Sequence, residues 1–503
     1  MDAMADSSTS AAPSPNPNAN RSTTPVSNAF REYIATQWAD RVEPTPAPRQ
    51  AAAFAAARRQ RISAMHPGER LIVPAGPARV RSNDTDYPYR AHSAFAHLTG
   101  WGADAVPESV LVLEPTGTGH EATLYFRPTA GRDSDEFYAN AAIGEFWTGP
   151  RPSLAHVAAD LDLPTKPLDA LEDVLEATDA TTRIVRDADR ELTDQVDGRR
   201  LLNAELPADA AESIDTDPDA VLLRDLSELR LVKDEWEIAQ LRAAVAATKQ
   251  GFDDVVADRP AIIAHPRGER LVEGTFNRRA RAEGNQVGYD TIAASGPHAC
   301  ILHWTRNDGP VVPGDLILLD AGIELDSLYT ADITRTLPIN GAYSEVQRRV
   351  YEAVREAADA AFAIVRPGIR FREIHAEAMK VIAAKTAEWG FLPVGAAESL
   401  DPEAQYHRRY MVHGTSHHLG LDVHDCAQAR RELYLEGILE PGMVFTIEPG
   451  LYFQPDDLTV PEEYRGIGVR IEDNILVTAT GAENLSIGIP RTADEVEAWL
   501  AGA

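Results

Sequence analysis

A chain of 503 residues is too long for one comfortable hydrophobic core, so two domains and a tail are expected. Its 78 Asp and Glu against 48 Lys and Arg give a net charge of −30, which repels phosphate backbones and argues against nucleic acid as a partner. With only two cysteines, Cys300 and Cys426, neither a disulfide framework nor a cysteine-built zinc site is expected, and no stretch approaches the roughly 18 apolar residues of a membrane helix.

Residues 1–28 are mostly Ser, Ala, Pro, Asn and Thr, with almost nothing to bury, so a disordered tail is expected. They place acid where a signal peptide needs positive charge, and a cytoplasmic protein is expected. "FREYIATQWADRV" and "QAAAFAAARRQRISAM" then read as helices. "RLIVPAG", "SVLVLEP" and "EATLYFRP" read as short strands separated by Gly, Pro and Asp. Together they predict a first α/β domain. "SELRLVKDEWEIAQLRAAVAATKQGFDDVV" predicts one long helix entered through a charged hinge, with Ile238, Leu241, Val245 and Ala246 at helical spacing and a domain boundary near Arg230. Two further amphipathic helices follow, for which Ser344 is an N-cap and Gly390 a stop. Thr492 and Glu495 form a capping box before the last helix.

Several strand-like segments carry acid where apolar residues would pack better. Asp320 ends the apolar run of "GDLILLDAG", and Asp332 lies on the return of the same hairpin. Glu448 in "MVFTIEPGLYF" and Glu472 in "GVRIEDNILVT" are likewise embedded among β-formers. Taken singly, each has an ordinary structural reading, such as Glu472 pairing with Arg470. A cluster of buried carboxylates, however, must be neutralised by cations, either arginine or metal. The same half-chain holds "MVHGTSHHLGLDVHD", with His413, His417, His418 and His424. Four carboxylates and one imidazole would form a hard, oxygen-rich site suited to divalent ions such as Mn²⁺. Spacing alone does not choose the imidazole, although an extended backbone turns His418 away from its neighbour's face.

The second half resembles the pita-bread metallopeptidases, specifically the aminopeptidase P branch. The resemblance rests on "ILHWTRND", "LILLDAG", "TADITRTLPINGAYS", "RPGIRFREIH", "VHGTSHHLGLDVHD", "LEPGMVFTIEPGLYF" and "VPEEYRGIGVRIEDN", which follow in the family's order. The first domain adds "RRQRISAMHPGERLIVPAGPARVRSNDTDYPYRAHSAFAHLTGW", which looks like the opening of the family's N-terminal domain. The resemblance implies an α/β chain with a smaller N-terminal domain over 29–230 and a pita-bread (creatinase/aminopeptidase-like) catalytic domain over 231–503. It implies five metal ligands for two divalent ions, most simply Mn²⁺. Asp332 and Glu472 would bridge the pair, His417 and Glu448 complete one ion, and Asp320 completes the other. It further implies that Glu448 handles the proton, that His303, His413 and His424 surround the substrate, and that Arg470 supports the ligands. The implied substrates are peptides with proline second, and the implied assembly is a homodimer or homotetramer.

Two departures qualify the match. The Asp320 to Asp332 loop is one residue longer than in familiar members, and the surplus is expected at the hairpin tip, since inside a strand it would turn one carboxylate to the wrong face. The stretch after His424 also differs, leaving Tyr434, Arg430 and Arg431 as stand-ins for residues lining the proline pocket. Three other readings remain: a prolidase confined to Xaa-Pro dipeptides, a methionine aminopeptidase, which needs no such N-terminal domain, and a non-catalytic pita-bread protein that binds peptides. Cys426 reads as a small buried side chain rather than a redox switch.

Overall fold

The computed structural model describes residues 23–179, 181–203 and 217–502, so most of the expected tail falls outside them. The first helix, Asn28–Ile34, is much shorter than "FREYIATQWADRV" predicts. Two local features end it. Gln37 takes a left-handed backbone at φ 60°, and the Trp38 indole donates to the Ile34 carbonyl that another helical turn would have used. Ala51–Met65 is helical as expected.

The first unit is built on a mixed five-stranded sheet, in the order Thr165–Pro167, Gly119–Phe126, Val110–Thr116, Arg70–Pro74 and Thr182–Ile184. Side chains alternate between its faces. Leu71, Val73, Leu111, Leu113 and Phe126 pack on one side with Phe95 and Trp101. Ile72, Val110, Val112 and Tyr125 pack on the other with Leu175 and Val196. Both faces are covered, which is why "LIVP" and "VLVL" are continuously apolar instead of alternating with polar residues.

The long helix expected next is Glu235–Ala257, and the charged hinge expected before it is Arg230 to Asp234, which separates it from a shorter helix, Pro218–Leu229. A capping box starts the long helix: Asp234 accepts the Glu237 amide at 3.0 Å, and Glu237 accepts the Asp234 amide at 2.8 Å. The intervening cations turn inward, with Arg230 Nε 2.9 Å from Asp425 Oδ1 and Lys233 Nζ 3.2 Å from Asp425 Oδ2. Apolar partners change at the same point, Leu229 packing with the first sheet and Leu231 with the core of the second half.

This seam predicts acid sensitivity. Burial alone would raise the Asp425 pKa, but Lys233 and Arg230 outweigh it and hold the carboxyl at about 2. Because the folded pKa lies below the unfolded value, the stabilisation is present above about pH 4 and is lost as pH falls towards 2. Asp425→Asn should remove about 2 kcal/mol at neutral pH and flatten the decline in stability between pH 4 and 2. Denaturant unfolding at a series of pH values measures both effects. An unchanged acid limb would show that this ion pair does not hold the seam.

In the second half, Leu316–Ala321 pairs antiparallel with Ile292–Ser295 on one side and Ile333–Pro338 on the other. Val444–Ile447 pairs with Asp473–Val477, and Gly450–Tyr452 with Gly468–Arg470. Helices Glu235–Ala257, Gly268–Glu283, Glu345–Ala363 and Phe371–Glu388 send their apolar faces into one shared core with these strands. Ser344 caps the third with a capping box through Gln347, and Gly390 at φ 76° follows the fourth, both as expected. Thr492 and Glu495 likewise form the expected box at Ala493–Ala501.

Candidate metal centre

The antiparallel register sets Asp320 opposite Thr334. Asp332 lies two residues before Thr334, so side-chain alternation directs both aspartates to the same face. Gly322 allows the strands to close up at this point, since a Cβ there would sit 1.8 Å from the Ala331 carbonyl oxygen. The hairpin turns between Leu325 and Leu328, where the Leu328 amide donates to the Leu325 carbonyl at 2.8 Å.

The histidine segment lies along Val444–Ile447. The Thr446 amide donates to the His417 carbonyl at 2.9 Å, and the Glu448 amide to the Thr415 carbonyl at 2.8 Å. This pairing sets His417 Nε2 3.4 Å from Glu448 Oε1 and 3.3 Å from Asp332 Oδ2. Glu472 arrives beside Thr334, its amide donating to the Thr334 carbonyl at 3.1 Å and its carboxylate accepting from Thr334 Oγ1 at 2.7 Å. Candidate ligand atoms of Asp332, His417 and Glu472 lie within 4.8 Å of one another. Asp320 and Glu448 flank that group, and all five line one cleft of about 470 Å³.

Four carboxylates facing one cleft repel one another. Burial pushes the Glu472 carboxyl well above its ordinary range, and Asp332, Glu448 and Asp320 add to the shift. Burial also raises Asp320 against the pull of Arg470. It pushes Glu448 up to about 7 against His417 and Arg470. Burial alone would lower His417, but Asp332 and Glu448 hold it up to about 9. Tyr289 Oη lies 2.6 Å from Asp320 Oδ1 and 2.5 Å from Asp332 Oδ1, yet it has one proton and can donate to only one of them at a time. The carboxylates thus meet where positive charge is short. Hard oxygen donors with one imidazole match a divalent cation, so the donor set fits a metal site.

Two family models match the chain: Metallopeptidase family M24 over residues 239–479, and Aminopeptidase P, N-terminal domain over residues 54–185. A protein named Xaa-Pro aminopeptidase 2, from Streptomyces coelicolor, is 52% identical over 470 residues, covering 93% of this chain and 95% of that one. The chain belongs to the aminopeptidase P family. The Xaa-Pro aminopeptidase of Escherichia coli is 34% identical over 457 residues, covering 90% of this chain and 98% of that protein. A solved Escherichia coli aminopeptidase P in complex with substrate superposes with a TM-score of 0.75 at 30% identity, covering 91% of this chain and 99% of that one. The fold is therefore the α/β arrangement expected, an aminopeptidase P N-terminal domain followed by an M24 pita-bread domain.

Within this aminopeptidase P, the other expected residues divide by their contacts. Arg470 pairs with Asp320 rather than with Glu472, and its Nη1 donates to Tyr452 Oη at 3.0 Å. His303 and His424 line the cleft, and the His424 ring meets that of His417 edge-on at 4.3 Å. His413 also lines it, but both its nitrogens are engaged: Nδ1 is 2.6 Å from the Gly414 carbonyl and Nε2 is 2.9 Å from Tyr452 Oη. A carbonyl can only accept, so the proton sits on Nδ1, and Nε2 accepts from the tyrosine. Burial together with Arg470 holds the ring's pKa at about 3, so it is neutral. His413 thus lines the cleft, as expected of a residue around the substrate, with both ring nitrogens engaged.

Tyr434, Arg430 and Arg431 do not line the cleft. Tyr434 Oη accepts the His418 amide at 3.1 Å, Arg430 pairs with Glu228 at 2.7 Å, and Arg431 lies 3.8 Å from Glu436. Its apolar wall is instead Ile292, Leu302 and Val423. His418 is buried and stacked on Phe371, and Cys426 is a buried free cysteine, both consistent with packing roles.

Sequence reasoning missed Tyr289, a lone aromatic with no motif around it, and Tyr452, which lies inside the quoted "EPGLYF" and could have been noticed there. It also missed Glu269, fully buried, which accepts from the Ser295 amide at 2.8 Å, His298 Nδ1 at 2.7 Å, Trp304 Nε1 at 2.9 Å and the Gly309 amide at 2.6 Å. These four bonds pin the loop that carries His303.

Proposed function

We propose that this chain is an Xaa-Pro aminopeptidase that removes the first residue from peptides with proline second, using two divalent ions, Mn²⁺ by preference. The observation that carries the reading is the convergence of four carboxylates, Asp320 on a strand and Asp332, Glu448 and Glu472 beside strand ends, with His417 on one cleft, in a chain 52% identical to a named Xaa-Pro aminopeptidase. Asp320, Asp332, His417, Glu448 and Glu472 would hold the ions. Bound there, such ions polarise a carbonyl and lower the pKa of water from 15.7 towards about 7.

The protein's own groups do the rest. Glu448 takes the proton of the attacking water and returns it to the proline nitrogen as the carbon–nitrogen bond breaks. His303 and His424 donate to the carbonyl oxygen as it gains negative charge, a contribution of about 3 kcal/mol each in comparable sites. His413 orients Tyr452, and Arg470 steadies Asp320. Ile292, Leu302 and Val423 offer an apolar wall to the proline ring. The N-terminal domain over 29–230 would narrow access to the cleft.

The proposed setting is the cytoplasm, which two free, buried cysteines support. The proposed assembly is a homodimer or homotetramer. Among the described residues no helix is long and apolar enough to cross a membrane.

Mass-spectrometric product analysis on a matched pair, Xaa-Pro-Yaa-Zaa and Xaa-Pro, tests the activity. Release of Xaa from the longer peptide, abolished by chelator and restored by Mn²⁺, is the expected result. Cleavage of the dipeptide alone would make the protein a prolidase, and cleavage of neither would leave a peptide-binding role.

A further inference from the structure

Arg90 belongs to the N-terminal half, yet its guanidinium is spent on the catalytic half. Its Nε donates to Glu324 Oε2 at 2.7 Å, and its Nη2 to the Leu421 carbonyl at 2.6 Å. Its Nη1 donates to Ser93 Oγ at 3.1 Å, and Ser93 in turn donates to Asp422 Oδ1 at 2.5 Å. Glu324 is buried in the hairpin that runs from Asp320 to Asp332, where its other oxygen accepts from Asn285 at 2.9 Å. Leu421 and Asp422 lie in the loop that runs from His417 to His424.

The surroundings reinforce the same connection. The Ala103 amide donates to the Asp326 carbonyl at the hairpin tip at 2.8 Å. Gly102 makes the approach possible, since a Cβ there would lie 2.1 Å from that carbonyl oxygen. The Thr330 amide reaches across to the Gly420 carbonyl at 3.1 Å, and Ala96, Leu328, Leu419 and Leu421 share one apolar cluster. The N-terminal half thus grips, side by side, two segments of the second half that deliver candidate ligands from separate stretches of chain.

We propose that Arg90 is a positioning residue for the metal centre, tying the hairpin between Asp320 and Asp332 to the loop between His417 and His424. This rests on the ligand set proposed above. A planar guanidinium suits the task because its fixed fork meets a carboxylate and a carbonyl in separate directions at once. Loss of that link leaves all five candidate ligands in the chain but frees the two segments to shift relative to each other.

The test measures Mn²⁺ affinity by calorimetry, and kcat and KM on an Xaa-Pro-Yaa-Zaa peptide, for the full-length protein. The variants are Arg90→Gln, Arg90→Lys, Glu324→Gln and the Arg90→Gln, Glu324→Gln pair. Arg90→Gln should weaken Mn²⁺ binding by about 10- to 100-fold, the range found when groups that orient metal ligands are removed. It should lower kcat and leave KM nearly unchanged. Arg90→Lys should recover part of the loss, because it restores the charge without the fork. Glu324→Gln should reproduce the defect, and the pair should lose less than the two single changes added together.

Wild-type Mn²⁺ affinity and kcat in Arg90→Gln, even with a lower melting temperature, would overturn the proposal and make the contact a purely structural clasp. Should Arg90→Gln fail to fold, Glu324→Gln decides by the same readouts. A wild-type chain that neither binds Mn²⁺ nor cleaves the peptide overturns the function reading and this inference with it. Unaffected variants of a competent wild type overturn the inference alone.

Discussion

Glu472→Gln should abolish turnover and at the same time make the metal-free protein more stable. The glutamate is buried among Asp332, Glu448 and Asp320, and burial with that repulsion drives its carboxyl far above the ordinary range. Its charge therefore opposes folding until a cation arrives. Glutamine keeps the shape and can still accept from Thr334 Oγ1, now 2.7 Å from the carboxylate, while removing the charge. The metal-free variant should gain about 1–3 kcal/mol, because a carboxyl whose folded pKa lies above its unfolded value costs stability at neutral pH and glutamine carries no such cost. On the proposed ligand set, it should also lose most of any stabilisation gained from added Mn²⁺, because a proposed ligand is gone. Turnover of an Xaa-Pro peptide should fall by about three orders of magnitude or more, since charge stabilisation and water activation both depend on the ions. Thermal melts with and without chelator, paired with steady-state rates, measure all three effects. A metal-free variant that melts below wild type would refute the electrostatic argument, and retained turnover would remove Glu472 from the ligand set.

Arg470→Leu should shift metal-free stability in the opposite direction. Arg470 is buried, pairs with Asp320, donates to Thr334 Oγ1 at 3.1 Å and donates to Tyr452 Oη at 3.0 Å. It is the permanent cation of the cluster, whereas the His417 charge depends on a proton. Removing one partner of a buried ion pair strands the other, at about 3–5 kcal/mol. The variant should melt well below wild type in chelator, and saturating Mn²⁺ should recover part of the difference by returning positive charge to the same carboxylates. Turnover should fall as well, because Tyr452 and, through it, His413 lose an anchor. Equal stability of the metal-free variant and wild type would mean that solvent reaches Asp320 and screens it. Both variants lose activity, so the opposite stability changes are what separates charge balance from general damage.

Much of this site could be read before any contact was known. Acid placed among β-formers, as in "LILLDAG" and "GVRIEDN", conflicts with burial unless a cation is near, and that conflict is written in a few adjacent residues. The capping boxes at Ser344 and Thr492 were legible for the same reason, because each lies within one turn of helix. Other features were not. The hinge at Arg230 to Asp234 showed its charge but not what that charge meets, since Arg230 and Lys233 turn inward to an acid nearly two hundred residues away. Arg430, Arg431 and Tyr434 follow His424 closely in sequence, yet they turn to Glu228, Glu436 and His418.

What the sequence determined by itself was the chemical inventory: four carboxylates set among β-formers, a set of histidines beside them, and a family pattern that orders them. Only the tertiary structure decided which side chains share a face. It brought His417 to Asp332 and Glu448 by pairing the histidine segment with Val444–Ile447, turned His413 to Tyr452, and placed Tyr289 between two aspartates. The physical reason is one of range. Propensity, capping and the aversion of charge to burial act over a few residues, whereas a distance between segments a hundred residues apart is set by packing and hydrogen bonds that exist only in the folded chain.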